Sequence, residues 1–313
     1  MIRSRRSTTK MIGGLAAAAL FATACGSEGG SVTVMDTGAI YDATAERDPC
    51  NFGEVFTTDG RIAALDLVVL EDDQAFFPLY NVSPVFREEI YTPFAAELDA
   101  LYAPVAAALD DDTMSGLNAR VSAENEPEMD VARDFLESNG FLTGGGSLDG
   151  MEVTVGSKDF DEQLILGNIS VILLEDAGAD VTNEVNVGGT DTTRAALESG
   201  DIGHYWEYTG TAWISFFGET DPIPDRVEQY EAVRDREVEI GLIWLEPTPF
   251  NNTYGIAMSS EAYAELGVDT ISEMGELLET NPDAVSLCVE SEFNVRDDGL
   301  PGMEEHYGFQ IEG

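Results

Sequence analysis

The stretch GHYWEYTGTAW, residues 203 to 213, joins a predicted buried strand directly to a helix start. Isoleucine, histidine, tyrosine and tryptophan between residues 202 and 206 are typical of a buried strand. Residues 209 to 211, TGT, supply hydroxyls and free backbone amides at the turn that follows. A strand that ends at such donors predicts a ligand-binding cleft around this stretch, and not a catalytic site.

The aromatic rings of the same stretch are candidate contacts for a cation. The faces of Trp206, Tyr208 and Trp213 each offer about 0.5–2 kcal/mol of cation–π attraction, depending on how dry the site is. A ligand with a cationic end and an anionic end would find rings for the first and the donors of the turn for the second. The alternative is that each ring only fills the core, which for any single aromatic residue is the commoner outcome.

The charge balance of the chain is strongly acidic. Its 313 residues include 60 acidic and 15 basic side chains, which give a formal net charge of −45. Nucleic acid and anionic membrane surfaces are therefore not expected as partners. Because a hydrophobic content of 43% accompanies regular apolar periodicity, we predict a folded protein, long enough for two lobes, with an acidic surface suited to high salt.

The first 25 residues have the pattern of an export signal. MIRSRRSTTKMIGGLAAAALFATAC has a basic start, an apolar run too short for a transmembrane helix, and small residues before Cys25. This pattern predicts a lipoprotein signal peptide, with Cys25 lipidated as the mature N-terminus and membrane anchor. The Arg–Arg pair leaves the export route open between general secretion and the twin-arginine pathway. Residues 26 to 30 are predicted to form a flexible tether.

Three motifs, in this order along the chain, resemble the substrate-binding proteins of osmoprotectant ABC transporters, which bind glycine betaine, choline and related quaternary amines. They are VGSKDFDEQLILGNI from Val155, NVGGTDTTRAALESGDI from Asn186 and WEYTGTA from Trp206. The resemblance implies an α/β fold of the type II periplasmic-binding-protein class, in which two lobes hold the ligand in the cleft between them. The alternation of predicted strands and helices after residue 152 independently favours mostly parallel, helix-flanked sheets.

The order of the segments departs from that family. FTTDGRIAALDLVVLEDDQAFFPLYNVSPVF, residues 56 to 86, resembles a segment that stands near the family's C-terminal end, yet here it precedes the GSKDF motif. Residues 143 to 150, TGGGSLDG, form a glycine-rich linker just before the family's first strand. We therefore expect a circular permutation, in which residues 152 to 313 followed by 31 to 141 restore the family order. A sequencing or assembly artefact is the alternative.

The permuted order also predicts the lobes. Residues 61 to 256, which include the glycine-rich linker, map to the larger lobe, and the chain ends, 31 to 60 and 257 to 313, map to the smaller one. Cys50 and Cys288 both fall in the smaller lobe, and export exposes them to oxidation. A disulfide between them is therefore expected.

The resemblance places an aromatic box around the cation of the ligand. Carried over motif by motif, its members are Tyr208 of WEYTGT, Tyr254 of FNNTYGIAM, Phe56 of VFTTD and Tyr80 of FFPLYN. Phe56 stands where a tyrosine is usual, which keeps a ring face and removes a hydroxyl. A quaternary ammonium has no N–H, so hydrogen-bond acceptors cannot select it, whereas ring faces can surround its methyl groups.

For the carboxylate of a ligand such as glycine betaine, the resemblance supplies Lys158, Thr211 and Arg296. Lysine provides a point charge, arginine a planar fork, and Thr211 a hydroxyl and its amide. Lys158 is also the sole lysine after the signal peptide, which favours a specific role over a surviving surface lysine. Together the two cations favour a zwitterion over choline.

Two further residues match family positions near the cleft. Asn252 and Glu292 are candidates for orienting the ligand or closing the lobes. For Arg296 taken alone, the alternative to a ligand contact is an ion pair with Glu292, Asp297 or Asp298.

Other function classes have little support in the sequence. Sixty carboxylates guarantee chance pairs that resemble a glycosidase dyad, but no nucleophile motif, phosphate loop or metal signature accompanies them. GlyGlyThr at residues 188 to 190 could hold an anion at a helix start, although it lacks the length and lysine of a phosphate loop. His204 and His306 are the only histidines and no close Cys/His spacing exists, so neither a metal nor a cofactor is expected.

The sequence therefore predicts a non-enzymatic, extracytoplasmic solute-binding lipoprotein. We expect it to act as a monomer, to capture glycine betaine or a related quaternary-ammonium osmoprotectant, and to deliver this solute to an ABC transporter permease. The alternatives are a choline- or carnitine-preferring binding protein and a compatible-solute sensor without a transport role.

Overall fold

The computed structural model describes residues 29–219 and 223–311. The predicted signal peptide, Cys25 with its predicted lipid, and the first three residues of the predicted tether lie outside the described residues. In the described ranges, no helix combines the length and the apolar character that crossing a membrane requires.

The strands of the described chain form two sheets of five strands each. Both the parallel strands and the helices between them follow from the alternation of buried apolar segments with amphipathic ones. The strands are β1 Ser31–Val34, β2 Phe52–Phe56, β3 Leu67–Val69, β4 Val82–Arg87, β5 Glu152–Gly156, β6 Asp180–Glu184, β7 His204–Tyr208, β8 Leu242–Trp244, β9 Tyr254–Ser259 and β10 Ser286–Val289.

Helices alternate with the strands along the chain. Short 3₁₀ turns lie at Thr92–Phe94, Val238–Ile240 and Pro282–Ala284, and one π-helical turn at Ala212–Phe216. The α-helices are α1 Thr37–Glu46, α2 Arg61–Ala64, α3 Glu88–Tyr91, α4 Ala95–Ala108, α5 Asp111–Ser122, α6 Glu128–Ser138, α7 Asp161–Asp176, α8 Thr190–Ser199, α9 Thr209–Thr211, α10 Arg226–Glu237, α11 Ser260–Leu266, α12 Ile271–Thr280 and α13 Leu300–Tyr307.

The two sheets define two lobes with the same strand arrangement. The small-lobe sheet has the order β1-β10-β2-β9-β3, and the large-lobe sheet has the order β6-β5-β7-β4-β8. In each sheet the first three strands are parallel and the fourth runs antiparallel to both of its neighbours. The fourth strands, β9 and β4, are those that the chain enters from the other lobe, through residues 245–253 and 70–81. The expected two-lobe α/β fold is confirmed.

The predicted lobe boundaries at residues 61 and 257 are wrong, and the strand pairing corrects them. β3 pairs with β9, with Val69 opposite Ala257, so α2 and β3 belong to the small lobe and not to the large one. β9 itself begins at Tyr254 in the small-lobe sheet. Local periodicity could not reveal this, because the pairing joins segments that are far apart in the sequence.

The core of the large lobe is built around α7. This helix is buried on nearly all sides, and residues such as Ile165, Ile169 and Leu173 have essentially no exposed surface. A helix that is buried on nearly all sides lies in the interior, and α7 packs there against α5, α6 and the sheet. The small lobe has its own core, in which Phe52 and Met258 contribute from the sheet.

The glycine-rich linker is attached to the end of α7. The amides of Thr143 and Gly144 donate to Asp176 Oδ2 at 2.9 and 2.8 Å, and the side chain of Leu148 is buried. At the edge of the small-lobe sheet, Gly30 and Ile311 lie side by side, since a Cβ added to Gly30 would fall 3.0 Å from Ile311 Cγ2. Residues 30 and 311 are therefore neighbours in space.

The structure joins Cys50 and Cys288 by a disulfide, with a Cα–Cα distance of 5.7 Å. The bond ties the residues before β2 to the middle of β10, and both cysteines are fully buried. It therefore links two neighbouring strands of the small lobe that are separated by 238 residues in the sequence.

Replacing Cys50 and Cys288 together by serine is expected to lower the free energy of unfolding by about 2–4 kcal/mol, because the cross-link restricts the unfolded chain. Denaturant unfolding in high-salt buffer measures this. Reductant should cause a similar loss in the wild-type protein and none in the double variant. Equal stability of the two proteins without reductant would contradict the prediction.

Candidate ligand-binding cleft

A cleft of about 540 Å³ lies between the lobes, and its lining comes from both of them. All nine residues that the sequence nominated as ligand contacts line this cleft, although they come from widely separated segments. They are Phe56, Tyr80, Lys158, Tyr208, Thr211, Asn252, Tyr254, Glu292 and Arg296.

The strand ends explain why these segments meet. Phe56 is the last residue of β2, Lys158 follows the end of β5, Tyr208 ends β7, and Glu292 follows β10. All four are carboxyl ends of parallel strands, and in open α/β sheets the ligand crevice lies outside these ends. The TGT turn of α9 continues directly from Tyr208, as the opening stretch of the sequence predicts.

The aromatic residues of the cleft form a continuous series of ring contacts, which we call the ring cluster. Tyr80 meets Tyr254 edge-on at 5.6 Å between centroids, and Tyr254 lies 5.4 Å from Phe56. Phe160 then stacks on Phe56 at 5.2 Å and lies 6.2 Å from Tyr208. Phe160 connects the small-lobe rings to the large-lobe ring.

Phe160 was not nominated from the sequence. It directly precedes α7, within the GSKDF motif, where a phenylalanine also fits a hydrophobic residue at a helix start. The two tryptophans of the opening stretch do not line the cleft. Trp206 is fully buried and donates to Ser170 Oγ at 2.8 Å, and Trp213 carries the guanidinium of Arg236 at 5.2 Å from its ring. Trp206 therefore follows the core alternative, and Trp213 is partly buried against a core cluster of the large lobe.

Lys158 is buried and already has a partner. Its Nζ lies 2.7 Å from Glu207 Oε1 and 5.1 Å from the centroid of the Tyr208 ring. Glu207 also accepts the hydroxyl of Tyr205 at 2.6 Å and the amide of Tyr208 at 2.7 Å. The single lysine of the described chain thus reaches the cleft as half of a buried ion pair.

Arg296 reaches the cleft in a similar state. Its Nε donates to Asp298 Oδ1 at 2.7 Å, and its Nη1 lies 3.6 Å from Glu292 Oε2. The guanidinium is 5.9 Å from the centroid of Tyr254. The ion-pair alternative for Arg296 is therefore present in the structure, with Glu292 and Asp298 as partners.

The anion at the GlyGlyThr helix start is supplied by the protein itself. Glu292 Oε1, from the small lobe, accepts the amide of Thr190 at the start of α8 at 2.7 Å. A Cβ added to Gly189 would fall 2.4 Å from the same oxygen, so the close approach requires glycine. Glu292 therefore connects the two lobes. Closing the lobes is one of the two roles that the sequence predicts for it, and orienting the ligand is the other.

The charged lining of the cleft is acidic on balance. Arg61, which the sequence did not nominate, also lines it and pairs with Asp59 at 2.6 Å and with Asp161 of the large lobe at 3.3 Å. The cleft therefore favours a ligand that carries positive charge. The acidic lining residues are Asp36, Asp159, Asp161, Glu290 and Glu292, and the basic ones are Arg61, Lys158 and Arg296.

Asn252 contacts a buried carboxylate behind the ring cluster. Its Nδ2 donates to Glu162 Oε1 at 2.8 Å, beside the hydroxyl of Tyr208 at 2.7 Å. Burial raises the pKa of Glu162, and the hydrogen bonds that it accepts oppose this rise. The sequence marks Glu162 only as an acidic residue in the first turn of a helix, where exposure would be usual.

In the described chain, no group of three or more histidine, cysteine, aspartate or glutamate side chains is arranged to hold a metal ion.

The chain was compared with known proteins. The model of the substrate-binding domain of the ABC-type glycine betaine transport system matches residues 7–138 and 151–313. A glycine-betaine-binding protein of Pseudomonas aeruginosa is 38% identical over 162 residues, 50% of this chain and 51% of that protein. The glycine betaine-binding protein YehZ of Escherichia coli is 35% identical over 161 residues, 51% of this chain and 52% of that protein.

The chain thus spans about half the length of the curated relatives that it matches. Among solved structures, apo YehZ from E. coli is 35% identical, with 51% of this chain and 58% of that chain covered and a TM-score of 0.37.

Glu54, in β2 beneath the cleft, is expected to make stability depend on pH. Burial raises its pKa from 4.5 to about 8; the hydrogen bond from the Glu290 amide and the charge of Arg296 oppose this rise, and the charges of Glu290 and Glu292 add to it. Because the folded state holds the proton more tightly than the unfolded state, stability is fully present below about pH 4.5 and is lost as the pH rises through 8.

Glu54→Gln should therefore match the wild-type protein in acid and exceed its free energy of unfolding by roughly 4 kcal/mol above pH 8. Denaturant unfolding across this pH range measures the difference. Glu265→Gln, at an exposed carboxylate, is the control and should show no such trend. A difference for Glu54→Gln that does not change with pH would refute the assignment.

Proposed function

Because the chain belongs to the family of substrate-binding domains of ABC-type glycine betaine transport systems, we propose that it captures glycine betaine or a related quaternary-ammonium osmoprotectant and delivers it to an ABC transporter permease. The observation that carries this proposal is the ring cluster inside an acidic interlobe cleft. Ring faces attract the methyl shell of a quaternary ammonium, and the acidic lining adds a long-range preference for a cation.

The mechanism is capture followed by lobe closure. Phe56 and Tyr254 come from the small lobe, and Phe160 and Tyr208 come from the large lobe, so a cation held between them bridges the two. The contact of Glu292 with α8 already joins the lobes, and the ligand adds to it. The ligand favours the closed state only by its difference in affinity for the two states. The closed protein then docks on the permease.

The carboxylate end of glycine betaine would meet Lys158, Thr211 and Arg296. An ammonium has three donors and a guanidinium has five, so each cation can keep its carboxylate partner and still donate to the ligand. The second candidate ligand is choline. The pairing of Lys158 with Glu207 and of Arg296 with Asp298 favours it, because cations that are neutralised by the protein do not require an anionic ligand.

Binding proteins of ABC importers act outside the cytoplasm. For this chain the finer proposal is a monomer that is held at the membrane by a lipid on Cys25. The support is the sequence pattern of residues 1 to 25.

The circular permutation is part of the proposal. When β5 to β10 are read before β1 to β4 and the crossing strands β4 and β9 are left aside, the strands of both sheets follow the same order, second-first-third-fourth. Residues 30 and 311 are neighbours in space, and the family match is divided at the linker that joins α6 to β5. These observations support an exchange of the two halves of an ancestral chain.

Calorimetric titration of the form that begins after Cys25, in high-salt buffer, should give binding of glycine betaine. Tyr208→Ala should weaken it about tenfold or more, because a ring face of the ring cluster is lost. Tyr263→Ala, at a tyrosine that does not line the cleft, is the matched control and should bind like the wild-type protein.

Choline and Lys158→Ala separate the two ligand candidates in the same assay. A weaker affinity for glycine betaine with an unchanged affinity for choline would support the carboxylate contact of Lys158. Equal losses would mean that Lys158 serves only its pair with Glu207. If a demonstrably folded wild-type protein binds neither solute, the proposed function is wrong.

A chain in which residues 151–311 are followed, through a short glycine linker, by residues 30–142 should fold and bind the same solute within about threefold, since no cleft residue is disturbed. Circular dichroism and calorimetry check this. The control is a version of the natural chain with the same linker inserted after Gly140. If this control folds and the reordered chain does not, the result counts against the permutation.

A further inference from the structure

A fully buried carboxylate stands behind the large-lobe end of the ring cluster. Tyr208 donates its hydroxyl to Glu162 Oε1 at 2.7 Å, and Glu162 is only 3% exposed. Glu162 does not line the main cleft, whereas Tyr208 does. The carboxylate therefore bonds the hydroxyl edge of a ring that lines the cleft.

Four donors saturate the two oxygens of Glu162. Oε1 accepts from Tyr208 and from Asn252 Nδ2, and Oε2 accepts from Thr58 Oγ1 at 2.6 Å and from Asn118 Nδ2 at 2.8 Å. Two of these donors are amide NH₂ groups, which can only donate, so the arrangement fits the ionised carboxylate. All four partners are neutral side chains.

This neutral environment distinguishes Glu162 from Glu207 and Asp298, two other buried carboxylates near the cleft. Glu207 is paired with Lys158, and Asp298 is paired with Arg296. In the described chain no lysine, arginine or histidine forms an ion pair with Glu162. Its negative charge is stabilised by hydrogen bonds but is not cancelled by a cation of the protein.

An uncancelled charge in a dry interior acts on its surroundings more strongly than a charge in water. It attracts a cation that enters the cleft. It also draws the hydroxyl proton of Tyr208, which makes the ring more electron-rich and strengthens its face as a cation–π surface. A neutral ligand of the same shape gains neither effect.

We propose that Glu162 is a specificity-determining residue, which acts through Tyr208 and through its own charge to select an occupant with a quaternary ammonium group over one of the same shape in which that group is uncharged. The inference rests on the proposed function, since it concerns the same site. Glu162 does not touch the ligand, so its role is to position and polarise the ring that does.

The test compares each ammonium with its carbon isostere, in which a carbon atom replaces the quaternary nitrogen. Glycine betaine is paired with the tert-butylacetate anion, and choline is paired with tert-butylethanol. In Glu162→Gln the ratio of the two affinities should fall roughly tenfold, while the affinity for the isostere changes by less than about twofold. Calorimetric titration in high salt measures both affinities.

Glutamine has the shape of glutamate and can keep most of these bonds. Its Oε1 can accept from Tyr208 and Asn252, and its NH₂ group can donate to Thr58 Oγ1, because a hydroxyl accepts as well as donates. Asn118 Nδ2 keeps its hydrogen bond to the backbone oxygen of Thr58 at 2.9 Å.

Two further variants complete the design. Glu237→Gln makes the same exchange at a buried large-lobe carboxylate, which is paired with Arg194 at 2.6 Å and lies outside the cleft lining, and it should leave the ratio unchanged. Tyr208→Phe keeps the ring and removes its link to Glu162, and it should lower the ratio about threefold. It carries the test if Glu162→Gln does not fold.

The outcomes separate the two claims. If Glu162→Gln loses equal affinity for the ammonium and for its isostere, the inference is overturned and the proposed function stays intact. The same holds if only Tyr208→Phe folds and its ratio of ammonium affinity to isostere affinity is unchanged. If the folded wild-type protein binds neither ammonium, the proposed function fails, and the inference fails with it.

Discussion

The buried carboxylate of Glu162 connects parts of the molecule that are remote in sequence. Its four donors come from the segment after β2, from α5, from the end of β7 and from the segment that crosses into β9. Removing a donor would leave part of a buried charge unsatisfied, at a cost of about 1–3 kcal/mol or more. The network therefore fixes the cleft wall and the crossing segment relative to each other, and the position of Tyr208 depends on it.

The scarcity of basic residues gives each one in the interior a defined task. Lys158, Arg194 and Arg296 are each paired with a buried carboxylate, at Glu207, Glu237 and Asp298. Breaking such a pair from one side typically costs 3–5 kcal/mol, because the remaining charge is buried without compensation. The many surface carboxylates repel one another, and salt screens this repulsion, so the acidic surface and the paired interior respond to salt in different ways.

The sequence predicts which residues meet at the cleft better than it predicts what they do there. The motif resemblance brought the nine nominated residues to one site, since the ends of parallel strands converge at one edge of each sheet. It did not reveal that Lys158 pairs with Glu207 or that Phe160 completes the ring cluster. A local pattern cannot distinguish a ring at a helix start from a ring in a binding site. The lobe boundary failed for a related reason, because the pairing of β3 with β9 depends on tertiary structure.

The positions of the proposed chain breaks are compatible with an intact binding cleft in either order of the two halves. The linker at residues 143 to 150 lies at the end of α7, and residues 30 and 311 lie at the edge of the small-lobe sheet. None of these residues lines the cleft. The cleft is built instead from strand ends within each half and from the crossing segments at residues 70–81 and 245–253, which stay continuous. Exchanging the two halves would therefore change the order in which the strands are synthesised. Every side chain that lines the cleft would keep its neighbours in space.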